Sequence, residues 1–137
     1  MTKCPHTTIK AHGTAVGLPD DTDMGNSEVG HNALGCGQIY SQGAKLVNES
    51  IDSGSIYQSA AWKGAVDFAK SHGGKMHFLG LLSDGNVHSN ISHLLAMLKQ
   101  CKAEGLKEVR VHVLLDGRDV PEGSAPKYVD MVEETMA

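Results

Sequence analysis

Met76-His77-Phe78-Leu79-Gly80-Leu81-Leu82 is a nearly continuous apolar run of strand length, and its reading decides the fold of the second half of this chain. Such a run is expected of a strand covered on both faces. Ser83-Asp84-Gly85-Asn86 breaks it. Ile91, Leu94, Leu95, Leu98 and Cys101 then recur at helical spacing, with Ser89 or Asn90 placed to cap the helix and Gly105 to end it. A second strand, Val109-Arg110-Val111-His112-Val113-Leu114-Leu115, is broken by Asp116-Gly117, and the spacing after Pro121 and Gly123 predicts a last helix over about 124–134. Residues 75–137 therefore read β-α-β-α. Such a crossover joins parallel strands and is almost always right-handed, so the fold class is α/β.

Upstream the pattern is less regular. Thr7-Thr8-Ile9-Lys10-Ala11 has β character within an otherwise coil-like opening, and Asp20, Asp21 and Asp23 form an acidic loop. That loop reads as a solvated turn, with a hard-cation site as the other option. A short helix is expected from Val29 to about Gly35, where Gly35-Cys36-Gly37 offers a left-handed cap. A weaker helix follows from about Ala44 to Ser53, ended by Gly54. The next runs from about Ser59 to His72, with Ala61, Ala65, Phe68 and Ala69 at helical spacing and Gly73-Gly74 closing it.

Composition narrows the function classes. With 137 residues the chain can form one domain with a real core, or pieces of two. Aromatic residues are only 4% and glycines number 16, which suits an α/β protein with tight turns better than an all-β one. A net charge of -4 offers no electrostatic footprint for nucleic acid or an anionic membrane. Cys4, Cys36 and Cys101 are odd in number and widely spaced, so neither a disulfide framework nor a zinc knuckle is indicated, and a reducing cytoplasm is the expected location. No apolar run approaches the roughly 20 residues of a membrane span.

Three places could carry chemistry. Asp23-Met24-Gly25-Asn26-Ser27-Glu28-Val29-Gly30-His31 has too many flexible and reactive residues for a packed core. Ser27 stands there at a helix start, where free amides favour a phosphate. It reads either as an N-cap in a glycine-punctuated turn or as a nucleophile. The other two places are Ser83-Asp84-Gly85-Asn86-Val87-His88 and Asp116-Gly117-Arg118-Asp119, each following the carboxyl end of a strand, where ligands lie in open α/β sheets. If the strands are neighbours, His88, Arg118 and Asp119 can converge. An arginine fork suits carboxylate or phosphate, histidine shuttles protons near neutrality, and aspartate orients hydroxyls, which together suits a small phosphorylated hydroxy acid. Asp84 and Asp116 read best as strand-ending turn residues. For Arg118 and Asp119 a local surface ion pair is the competing reading.

Four ordered motifs carry a family resemblance. Gly13-Thr14-Ala15-Val16-Gly17-Leu18-Pro19, Met24-Gly25-Asn26-Ser27-Glu28-Val29-Gly30-His31, Leu82-Ser83-Asp84-Gly85-Asn86-Val87-His88-Ser89 and Leu115-Asp116-Gly117-Arg118-Asp119-Val120 resemble the cofactor-independent phosphoglycerate mutases. The opening looks most like the plant and trypanosomatid branch. Cys36-Gly37-Gln38 and Asn86 depart from the family's usual pattern, at none of the matched site residues.

The resemblance implies an enzyme that interconverts 3-phosphoglycerate and 2-phosphoglycerate in glycolysis and gluconeogenesis, without 2,3-bisphosphoglycerate. It implies an alkaline-phosphatase-like domain with an inserted transferase domain. Residues 1–41 would belong to the first and 42–137 to the N-terminal part of the second. Ser27 matches the nucleophile, phosphorylated during turnover, and also a ligand to one of two manganese ions, for which magnesium or cobalt could substitute. His88, Arg118 and Asp119 match substrate-binding positions, with Asp119 the candidate for proton transfer. The complete enzyme is expected to be a cytoplasmic monomer, and this chain an internal fragment inactive alone. Two other readings stand beside it: a phosphatase or phosphopentomutase of the same superfamily, and a noncatalytic α/β module binding small phosphorylated acids.

Overall fold

The computed structural model describes residues 3–137, and their contacts divide the chain into two compact units, one ending at Leu46 and one spanning Val47–Ala137.

The first unit has a small apolar centre of Val16, Leu18 and Val29. A 3-10 turn over Gly13–Val16 precedes helix α1, Ser27–Cys36. This helix starts two residues before the expected point because Asn26 caps it, its side chain accepting the Val29 amide at 3.1 Å. Ser27 is thus the first helical residue, not the cap. Gly37 closes α1 in the left-handed conformation, as the glycines of that turn suggested. The expected extended segment at Thr7–Ala11 is not a strand. β character needs a neighbour to pair with, and the one sheet formed by the described residues contains two strands from the other unit.

Helix α2 covers Gly43–Asp52, and after a single turn, α3 at Ser55–Gln58, α4 runs over Ala60–Ser71. Ser59 caps α4 by accepting the Trp62 amide. The face of α4 differs from expectation. Trp62, Val66 and Ala69 are its buried residues, whereas Phe68 is 65% exposed and stacks on His72. The helix is rotated by about one residue from the alanine-rich face, since burying an indole and a valine removes far more apolar area from water than burying two methyl groups. Its Trp62 ring contacts Tyr57 edge-on and donates to Glu104 at 2.7 Å.

Strands β1, Met76–Leu82, and β2, Val109–Leu115, pair in parallel, in register from Met76 opposite Val109 to Leu82 opposite Leu115. Between them runs α5, Ile91–Ala103, whose cap is Asn90, and after them α6, Ala125–Met136. Ile91, Leu98, Val120, Tyr128 and Val132 close over Leu82 to form the main core, with Phe78, Val109 and Val111 packed against it. Trp62, Val66 and Cys101 form a second cluster that shares Phe78 and Val109. Both clusters lie on one face of the sheet. Coverage on both faces, expected from the apolar run, is not found among the described residues: Leu79 is 74% exposed, and His77 and His112 share the open face at 2.8 Å.

Candidate functional site

The parallel register carries both strands to the same level, so the turns that follow them start side by side. Ser83 and Asp116, the next residues after the paired Leu82 and Leu115, are both buried. Asp116 folds its own turn: Oδ1 accepts the amides of Arg118 at 2.9 Å and Asp119 at 3.1 Å. The Ser83 hydroxyl and those amides hold the Asp116 carboxyl below the usual carboxylate range. Ser83 Oγ in turn accepts the Gly85 amide at 3.1 Å. Asp84 points elsewhere, accepting the Tyr128 hydroxyl at 2.7 Å with Lys127 Nζ at 3.5 Å, and so ties its loop to α6.

These turns bring two of the expected residues into direct contact. His88 Nδ1 lies 2.6 Å from Asp119 Oδ2, with the carboxylate side chain 7% exposed and the imidazole 58% exposed. The local Arg118–Asp119 ion pair does not form. Asp119 is taken by His88, and Arg118 is exposed with no carboxylate partner among the described residues. Gly85 makes the approach possible: a Cβ there would lie 2.7 Å from Asp119 Cβ and 3.1 Å from its carbonyl oxygen.

His88 also borders a cleft of about 320 Å³ beside β1, lined by Leu81, Ser89, Asn90 and His93 among others. His93 is held by Asn48 at 2.5 Å, and burial lowers its pKa, which favours a neutral, structural imidazole. A hollow of about 350 Å³ lies at the other end of β2, where Glu108 already pairs with Lys75 and Arg110.

Ser27 belongs to the first unit and is exposed. Its Oγ is 3.5 Å from His31 Nδ1, but that nitrogen lies closer to the Ser27 carbonyl oxygen, at 2.6 Å, and donates to it. A nitrogen already donating cannot accept the serine proton, so His31 does not act as its base through Nδ1. Gly25, two residues earlier, passes against Ala11: a Cβ would meet the Ala11 carbonyl oxygen at 1.7 Å. The acidic loop is internally satisfied, Asp20 accepting from Thr22, Asp21 from Thr14, and Asp23 from the Asp20 amide. Among the described residues no three His, Cys, Asp or Glu side chains cluster to hold a metal ion. The residues present near Ser27 therefore do not by themselves make a dimetal site.

The residues that sequence reasoning passed over are Tyr128 and Ser83. Tyr128 had no signal linking it to Asp84, 44 residues away. Ser83 was legible only as a turn residue, because its neighbour Asp116 is set by the sheet register.

Residues 47–137 match the family model described as the BPG-independent PGAM N-terminus. The chain belongs to this family. Within it, this chain is 55% identical over 125 residues to the probable 2,3-bisphosphoglycerate-independent phosphoglycerate mutase of Leptospira interrogans, covering 91% of this chain. It is 52% identical to the 2,3-bisphosphoglycerate-independent phosphoglycerate mutase of Zea mays and 50% identical to that of Trypanosoma brucei brucei, covering 93% and 94% of this chain. The family resemblance thus holds for plant and trypanosomatid relatives and extends to a bacterial one. Leishmania mexicana phosphoglycerate mutase, crystallised at low cobalt concentration, superposes with a TM-score of 0.88 at 48% identity over 93% of this chain, so its α/β fold is that of this family. This chain spans 22–23% of the length of these relatives.

Proposed function

We propose that these residues form part of an isomerase that interconverts 3-phosphoglycerate and 2-phosphoglycerate in glycolysis and gluconeogenesis, with no need for 2,3-bisphosphoglycerate. Support comes from the hydrogen-bonded His88–Asp119 pair, with an exposed Arg118 free of carboxylate partners among the described residues on the same turn as Asp119, at the paired ends of two parallel strands. Arg118 grips the carboxylate or phosphate of the glycerate with its planar fork. His88 is held through Nδ1 by Asp119 and turns its Nε2 toward the anion. Asp119 holds or passes the proton of a glycerate hydroxyl.

Ser27 is the proposed nucleophile, carrying the phosphoryl group while the glycerate reorients over His88 and Arg118. Two divalent ions, manganese with magnesium or cobalt as substitutes, would when bound lower the cost of the Ser27 alkoxide and screen the phosphoryl charge. Ser27 supplies one ligand in this reading. These residues by themselves are proposed to be inactive. Residues 1–41 are assigned to the phosphatase-like domain and 42–137 to the transferase domain. The complete enzyme is taken as a cytoplasmic monomer acting on a small molecule, not on nucleic acid or membranes; no helix described is long and apolar enough to cross a membrane.

Two variants of the full-length protein test this. Ser27→Ala should abolish both turnover and transfer of labelled phosphate to the protein. Asp119→Asn should lower turnover by roughly a hundredfold or more with a much smaller change in substrate affinity. Labelling that survives Ser27→Ala removes the phosphoserine step. Equal losses of turnover and affinity in Asp119→Asn reduce Asp119 to a positional role. Binding of 3-phosphoglycerate without any turnover in the full-length protein would favour a noncatalytic anion-binding module.

A further inference from the structure

We propose that Asp116 is a positioning residue that fixes the backbone of Arg118 and Asp119, and through it the His88–Asp119 pair. The inference rests on the function proposed above for its consequence in ligand binding, and on geometry alone for its structural part. Asp116 does more than end a strand. A single carboxylate oxygen, Oδ1, accepts two successive amides, those of the two residues proposed to bind the ligand. Hydrogen bonds to an ionised acceptor are about twice as strong as neutral ones, so both amides are held firmly.

The other oxygen, Oδ2, is buried and has no hydrogen-bond partner. An asparagine would form the same turn with a neutral side chain, so the charge on Asp116 adds to what the turn itself requires. The carboxylate therefore stiffens this turn beyond what chain reversal alone needs. Fully buried Ser83 stands beside it and holds the Gly85 amide, so the turn that presents Asp119 and the loop that presents His88 are built on one buried pair of adjacent side chains. With the backbone at 118 and 119 fixed, the Asp119 side chain is directed at His88 across the glycine gap at Gly85, and Arg118 is left exposed.

The test compares Asp116→Asn and Asp116→Ala with the unaltered full-length protein. It reads amide hydrogen exchange at Arg118, Asp119, Val111 and Val113, and the Kd for 3-phosphoglycerate. Positioning predicts a graded effect. Exchange at Arg118 and Asp119 should quicken about threefold in Asp116→Asn, from weakening a charged hydrogen bond to a neutral one, and more than tenfold in Asp116→Ala. Kd should rise in the same order, with Val111 and Val113 unchanged. Loop exchange within twofold of the unaltered protein in both variants overturns the proposal, as does a rise in Kd with no change in loop exchange. If Asp116→Ala does not fold, the Asp116→Asn comparison decides by itself, and no change there overturns the proposal. Should the unaltered protein fail to bind 3-phosphoglycerate, the phosphoglycerate reading falls, and loop exchange alone decides the role of Asp116.

Discussion

His88 and Asp119 lie 31 residues apart in the chain, yet their Nδ1 and Oδ2 atoms meet at 2.6 Å because two parallel strands end at the same level. The contact depends on how closely two turns approach, and that approach is set by a missing side chain.

Gly85→Ala should break it. The new Cβ would lie 2.7 Å from Asp119 Cβ, closer than real contacts allow, and the nearest obstacles are Cβ and backbone rather than the end of a flexible side chain. We expect a loss of roughly 1–3 kcal/mol of stability from overpacking, read as a lower urea midpoint, together with loss of the His88–Asp119 hydrogen bond by NMR. A variant with unchanged stability and an intact pair would show that the turns have slack.

Acid should loosen the Asp116 turn. Its folded pKa is depressed, with the Ser83 hydroxyl the largest cause, so the stabilisation is fully present above the unfolded carboxylate value of about 3.9 and is lost as pH falls through the lower folded value. Urea midpoints of the unaltered protein and Asp116→Asn, measured from pH 7 to pH 3, should differ at neutrality and converge toward the acid end. A gap that widens on acidification would contradict the sign.

Cys101 should be inert at neutral pH. It is completely buried, and burial, with a further contribution from Glu104, pushes its thiol up to about 11. Cys4 and Cys36 are exposed. Alkylation of the native protein at pH 7.5 should label those two, and mass spectrometry should find Cys101 modified only after denaturation.

Leu82→Ala should be among the most damaging core substitutions. Leu82 is 2% exposed and lies where β1, α5 and α6 converge, so truncation leaves a cavity costing about 2–5 kcal/mol. Phe68→Ala, on the exposed side of α4, should cost far less. Denaturant unfolding of both variants checks the contrast.

Both strands were legible to the residue, since each is rich in apolar and β-branched residues and is followed at once by a polar turn, Ser83-Asp84-Gly85 or Asp116-Gly117, and those are local signals. The buried stripe of α5 was legible for the same reason, being a single unambiguous apolar periodicity. The face of α4 was not. Its sequence allows two neighbouring apolar stripes, and the choice of Trp62 and Val66 over Ala61 and Ala65 is made by what the helix packs against. The open sheet face was hidden too, because an apolar run looks the same whether one side or both are covered.

The amino-acid sequence by itself determined the two strands and the helix between them, which turns follow the strands, and that His88, Arg118 and Asp119 lie on those turns. Each of these follows from interactions within a few residues along the chain. Only the tertiary structure decided that Asp119 pairs with His88 rather than with its neighbour Arg118, and that Asp116 and Ser83 share a buried position beneath them. Those outcomes depend on strand register and on the space left at Gly85. Both arise from packing between segments distant in the chain, which no local pattern encodes.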